Sequence, residues 1–139
     1  MSRTTVILAD DNSSVLAHVS HMLERDKNCQ VVATISEPAS IVRECLHLRP
    51  NVIVLDISMG ELSGIDVARQ LRDSGSTAKI VFLTVHEDTD YMNAAIGAGG
   101  SAYVVKSRLS LDLFSAINAV LAGKIFVSAS LLNEPDPHS

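Results

Sequence analysis

Short apolar runs alternate along the chain with longer stretches of helical spacing. The runs at residues 5–9, 30–35, 51–55, 79–83 and 102–105 span four to six positions each. Runs of that length, with little polar alternation, predict strands buried on both faces. After the first run, Asn12, Ser13 and Ser14 offer helix caps, and Val15, Leu16, Val19, Met22 and Leu23 form an apolar stripe. Ser36-Glu37-Pro38 opens a second helix, with proline near the first turn, where its missing N–H is tolerated; the apolar positions there are Ile41, Val42, Cys45 and Leu48. Residues 60–64 read as a loop, after which Ile65, Ala68 and Leu71 recur at helical spacing. The helix near residues 89–96 is weak, lined mostly by alanine and ended by Gly97, Gly99 and Gly100. The last stripe is Leu113, Phe114, Ile117, Val120 and Leu121, with Gly123 at the helix-ending position.

Strands alternating with helices predict a parallel sheet covered by helices on both faces. One common order for five such strands is 2-1-3-4-5, which places the first and third side by side at the topological switch point. Under that order the strand ends bring particular side chains together. Asp10 and Asp11 follow the first strand, Asp56 the third, Thr84 the fourth and Lys106 the fifth. Three converging carboxylates repel one another, and a cation, protonation or distance must relieve them.

Length and composition narrow the picture. The 139 residues fit one domain, and a 47% hydrophobic content fills a core without disulfide or metal. A net charge of -5 disfavours a broad nucleic-acid surface. Cys29 and Cys45 make no ligand or redox spacing and read as buried free thiols in a reducing compartment. No apolar run approaches the ~20 residues of a membrane span, and the N-terminus lacks a signal-like hydrophobic region. A cytoplasmic domain that does not engage a membrane is expected. His18 and His21 lack metal-binding spacing, and His47 and His138 read as surface residues. The tail at residues 133–139 is polar, with two prolines, and is expected to be mobile.

Each member of the acidic constellation has an ordinary reading. Asp-Asp-Asn-Ser is also capping sequence, Asp56 a loop acid, Thr84 a strand end and Lys106 a solvated charge. Jointly they suit phosphoryl transfer. Asp10 and Asp11 can hold Mg²⁺ (or Mn²⁺), which favours carboxylate oxygens. Asp56 can act as a nucleophile and form an aspartyl-phosphate. Lys106 can place a positive charge on a phosphoryl oxygen, and Thr84 can donate to another.

These residues carry a resemblance. Ala9-Asp10-Asp11-Asn12, Leu55-Asp56-Ile57-Ser58-Met59, Gly64, Leu83-Thr84 and Gly99-Gly100-Ser101-Ala102-Tyr103-Val104-Val105-Lys106 together resemble a receiver domain of a two-component response regulator, over about residues 4–123. The resemblance implies a flavodoxin-like, doubly wound sheet. It implies that a sensor histidine kinase phosphorylates Asp56, and that Asp10, Asp11, Asp56 and the backbone carbonyl of Ser58 hold the metal. It implies that Thr84 moves toward the phosphoryl group and that Tyr103 changes rotamer with it, biasing the face built from the fourth helix and fifth strand. A half-buried aromatic on an edge strand is the ordinary reading of Tyr103. The domain is expected to assist its own phosphoryl transfer and dephosphorylation rather than to turn over a separate substrate.

The chain departs from the receiver pattern at three places. Gly60 stands where proline is usual, which loosens the loop. Lys106-Ser107 replaces Lys-Pro, so a trans peptide is expected there. Val85 is larger than the small residue usual after the switch threonine. Val85, with Ser58 and His86, is expected to set the lifetime of the phosphorylated state, although His86 reads most simply as a solvent-facing loop histidine. Gly123-Lys124-Ile125-Phe126-Val127-Ser128 resembles the segment following the receiver in LuxR-type (NarL-like) transcription regulators. The expected division is a receiver over residues 1–124 and the start of a linker or tail over 125–139. Control of transcription would then pass through a DNA-binding domain outside these residues, with homodimerisation on phosphorylation. A stand-alone receiver acting by protein contact, or a receiver-like module independent of phosphorylation, is the alternative. An aspartate-nucleophile phosphatase would need Asp-x-Asp after the first strand, and a nucleotide or flavin binder a glycine-rich loop; Asp10-Asp11-Asn12 is neither.

Overall fold

The first apolar run forms β1 (Thr4–Ala9), and its four last residues are buried. The Asn12 side chain accepts from Ser14 N and Val15 N, starting α1 (Ser13–Glu24) where the capping sequence predicts it. Then follow β2 (Cys29–Ile35), a 3₁₀ turn (Pro38–Ser40) leading into α2 (Ile41–Leu48), and β3 (Val52–Asp56), buried throughout. This computed structural model describes residues 3–59 and 62–128. Ser58–Met59 (β4), just before the stretch read as a loop, pairs antiparallel with Leu62–Ser63 (β5) inside it as a small hairpin. Ser63 caps α3 (Gly64–Asp73). The chain continues through β6 (Lys79–Thr84), α4 (Thr89–Gly97), β7 (Ala102–Val105), a 3₁₀ turn (Lys106–Arg108), α5 (Leu109–Leu121) and β8 (Phe126–Val127).

The main sheet is wholly parallel, in the order β2-β1-β3-β6-β7-β8. The expected order of five strands is present, and β8 extends it to six. Gly123, at φ +79°, turns the chain out of α5 toward β8. A two-residue strand carries too little pattern to be read from sequence, and its presence makes β7 an internal strand.

Alternation along the strands splits the core into two layers, as a period of two requires. Ile7, Ile53, Leu55, Ile80, Phe82 and Tyr103 pack with residues of α2, α3 and α4. Val6, Leu8, Val54, Val81, Leu83 and Val104 pack with α1 and α5. The helices are therefore on both faces. The weak α4 buries only Ala95 fully. Leu48 and Leu121, assigned to apolar stripes, are exposed, whereas Leu109 and Ala116 complete the buried face of α5. Arg72, at the end of α3, donates to Ser76 O and to Gly99 O, tying α3 to the turn between α4 and β7.

Cys29 and Cys45 are buried free thiols. Burial pushes the Cys45 thiol up to about 12, and burial with the neighbouring Asp26 raises that of Cys29, so neither is a ready nucleophile. No helix among the described residues is long and apolar enough to cross a membrane. The peptide bonds of the described residues are trans, including Lys106-Ser107.

Candidate functional site

The carboxyl ends of β1, β3, β6 and β7 share one edge of the sheet. Asp10 continues the ladder beyond β1, its N–H donating to Ile35 O. Its Oδ1 accepts from Asn12 N at 2.8 Å, which turns the chain into α1. Asp56 behaves in the same way at the end of β3, its Oδ1 accepting from Ser58 N at 3.2 Å. Each acid thus spends one oxygen on its own turn and leaves Oδ2 for the crevice. Lys106 Nζ lies 3.0 Å from Asp10 Oδ2 and 3.6 Å from Asp56 Oδ2. Asp11 is exposed, yet one carboxylate oxygen from each of Asp10, Asp11 and Asp56 lies within 4.8 Å of the others.

Three carboxylates therefore face one ammonium. Asp10 Oδ2 is buried and accepts no well-formed hydrogen bond from the described residues. An oxygen-only donor set with surplus negative charge, facing a single ammonium among the described residues, fits a hard divalent cation. Burial, followed by the negative charge of Asp10, raises the Asp56 carboxyl to about 6, with Lys106 and the Ser58 N–H working in the opposite direction.

Thr84 is fully buried at the end of β6, and its Oγ1 accepts from His86 N at 3.0 Å. Tyr103 is also fully buried, and its hydroxyl donates to His86 O at 3.0 Å. The ordinary reading of Tyr103, a half-buried aromatic on an edge strand, does not hold, because β8 covers the open side of β7. Burial pushes the Tyr103 phenol up to about 12 against the opposing effect of the Thr84 hydroxyl. His86 stays in the loop after β6 and is half-buried, but its ring has partners there. Its Nε2 lies 3.0 Å from Ser58 Oγ, and its ring stacks on Tyr91 with centroids 4.1 Å apart. His86 thereby joins the loops after β3 and β6 to Tyr103 through side chain and backbone together. No local signal announces this, since Ser58 and His86 are 28 positions apart.

Val85, 67% exposed, stands at the rim, and Gly60 lies outside the described residues. His18, His21 and His47 are exposed and join no metal-binding group among the described residues, and His138 and the tail at 133–139 lie outside them. In the sequence Gly64 is only a motif position. A Cβ there would overlap the carbonyl oxygen of Asp56 and lie 3.0 Å from Ile57 Cα. Gly64 N donates to Ile57 O at 2.7 Å, so α3 begins pressed against the backbone that presents Asp56.

Comparison with known proteins gives a consistent picture. Residues 6–118 match the family model described as the response regulator receiver domain. A nitrate/nitrite response regulator protein homolog of Haemophilus influenzae is 32% identical over 92% of this chain and 62% of its own length. The oxygen regulatory protein NreC of Staphylococcus epidermidis is 30% identical, over 93% of this chain and 62% of its own. The chain thus spans 62% of the length of these curated relatives. Among solved structures, a LuxR-family two-component response regulator from Aurantimonas superposes with a TM-score of 0.90 at 29% identity, covering 96% of this chain and 95% of that one.

Proposed function

This chain belongs to the response regulator receiver family, and from that membership we propose that it is a switch phosphorylated on Asp56 by a sensor histidine kinase. The placement of Lys106 Nζ between Asp10 Oδ2 and Asp56 Oδ2, beside an acidic trio, is the observation that carries the reading. A carboxylate oxygen of Asp56 attacks phosphorus as the bond from phosphorus to the donor imidazole nitrogen breaks. Asp10, Asp11 and Asp56, with the Ser58 carbonyl, would hold Mg²⁺ (or Mn²⁺). Bound there, the ion offsets the repulsion between these carboxylates and phosphoryl oxygens. Lys106 can exchange its carboxylate partner at Asp56 for a phosphoryl oxygen. The Thr84 hydroxyl can turn from its local bonds toward the new charge, and Tyr103 then follows through the backbone of His86.

Because the relatives are longer, the output is proposed to be transcription, through a DNA-binding domain outside these residues, with dimerisation on phosphorylation and a cytoplasmic location. The boundary expected at residue 124 moves to Ser128 in this proposal, since β8 and Ser128 bond to β7. Incubation with Mg²⁺ and acetyl phosphate, read by intact mass, is expected to add one phosphoryl group. No adduct from acetyl phosphate or a phosphorylated kinase would overturn the reading in favour of a module independent of phosphorylation.

The exposed Val85 at the rim is proposed to slow water's approach to the aspartyl-phosphate. Val85→Ala is expected to hydrolyse its phosphoryl group severalfold faster after donor removal, followed by mass against time. An unchanged decay would sink this steric part alone.

A further inference from the structure

Ser128 is a fully buried hydroxyl that the site chemistry does not use. It follows β8, which is too short to complete the open side of β7 with backbone alone. Phe126 N donates to Ser101 O and Ser128 N to Tyr103 O, and the two paired residues of β8 end there. The next N–H on that side of β7 belongs to Val105, itself buried. Ser128 Oγ accepts from it at 3.0 Å in a buried bond. One residue therefore clamps β7 at two points, through its backbone at Tyr103 and its hydroxyl at Val105.

These points matter because of what lies beside them. Tyr103 holds the His86 carbonyl, and Val105 immediately precedes Lys106, where the strand ends and a 3₁₀ turn begins. With Val105 fixed, the Lys106 side chain starts from a defined backbone position and reaches both Asp10 and Asp56. Without the hydroxyl, a buried N–H loses its partner at the point where the strand must hand over to the turn.

We infer that Ser128 is a positioning residue for phosphoryl transfer, holding the β7 backbone that presents Lys106 and Tyr103; this rests on Asp56 being the phosphoacceptor. Nothing in the receiver motif points to it, since Ser128 lies 22 positions beyond Lys106. A residue at the very end of the domain would then tune the chemistry at its centre. Any pull on the chain at Ser128 would be felt at the lysine.

The test uses the full 139-residue chain with saturating Mg²⁺ and acetyl phosphate, at a temperature well below every variant's melting midpoint. Ser128→Ala is expected to phosphorylate about tenfold more slowly than wild type, since small misplacements at a reacting centre are amplified. Ser128→Thr, which keeps the acceptor, should stay near the wild-type rate. Ser128→Val, with the shape of threonine but no hydroxyl, should be as slow as alanine, so the comparison survives if alanine unfolds. Amide exchange at Val105 should quicken in the slow variants, while their Mg²⁺ affinity stays unchanged. Alanine at the wild-type rate, or threonine as slow as valine, would overturn the inference and leave Asp56 phosphorylation standing. A wild-type chain that takes up no phosphoryl group would overturn both.

Discussion

Asp56→Asn is expected to gain no phosphoryl group from Mg²⁺ and acetyl phosphate, yet to melt higher than wild type when metal-free at neutral pH. The two effects come from one arrangement. Asp56 is buried beside Asp10, and its carboxyl is raised to about 6. A carboxyl whose folded value exceeds its unfolded value near 4 favours the fold fully only below the unfolded value. That contribution is lost as pH rises through about 6. At neutral pH the wild-type fold therefore carries an unfavourable buried charge, which asparagine removes while Lys106 keeps its pairing with Asp10 at 3.0 Å. The gain should be on the order of 2 kcal/mol near pH 8 and fade as pH falls toward about 4. Thermal melts in chelator across that range check it, and a pH-independent difference would show that the charge is not responsible. Mg²⁺ should narrow the gap, because it stabilises wild type more than the variant. The site is thus built against the stability of its own metal-free fold, as a functional site often is.

The sequence discloses this site because chemistry and topology coincide in it. Asp10, Asp56, Thr84 and Lys106 each stand directly after an apolar run, so a parallel sheet in the expected order brings them to one edge. The layered core is legible for a similar reason: a period of two along five strands leaves few alternatives. What stays hidden depends on contacts without a periodic signal. The two residues of β8 carry no pattern of their own, and missing them makes Tyr103 look like an edge aromatic when it is fully buried. The hairpin of Ser58–Met59 with Leu62–Ser63 is equally short. His86 looks like a loop histidine until Ser58, Tyr91 and Tyr103 are seen around it. Ser128 reads as part of the linker or tail over 125–139 because its partner, the Val105 N–H, is a backbone group that no side-chain pattern reports. Gly64 is visible as a motif position, but the reason for it is steric and appears only when β3 and α3 meet.

That steric reason makes Gly64→Ala the substitution expected to do most damage for its size. The backbone of Gly64 has no left-handed φ, so alanine brings no conformational strain. The damage comes from a methyl group that has no room against the Asp56 carbonyl and Ile57 Cα. These are main-chain atoms of a strand end buried between neighbours, and they cannot swing aside as a flexible side chain could. Relief requires α3 to withdraw, stretching the bond from Gly64 N to Ile57 O that holds the loop closed. Asp56 and Ser58, which share this backbone, then lose their register with Asp10 and Lys106. Overpacking of this kind should destabilise by about 3 kcal/mol and lower the melting midpoint by about 10 °C. Phosphorylation by acetyl phosphate should slow by about a hundredfold in the fraction that remains folded. Gly97→Ala is the matched control. It makes the same chemical change at the end of α4, where a Cβ meets nothing within 4 Å, and alanine there should be neutral or stabilise slightly. Melting curves and phosphorylation rates of the two variants side by side decide the matter. Equal behaviour would mean that the contact between α3 and the end of β3 yields freely, and that Gly64 does not hold Asp56 in place.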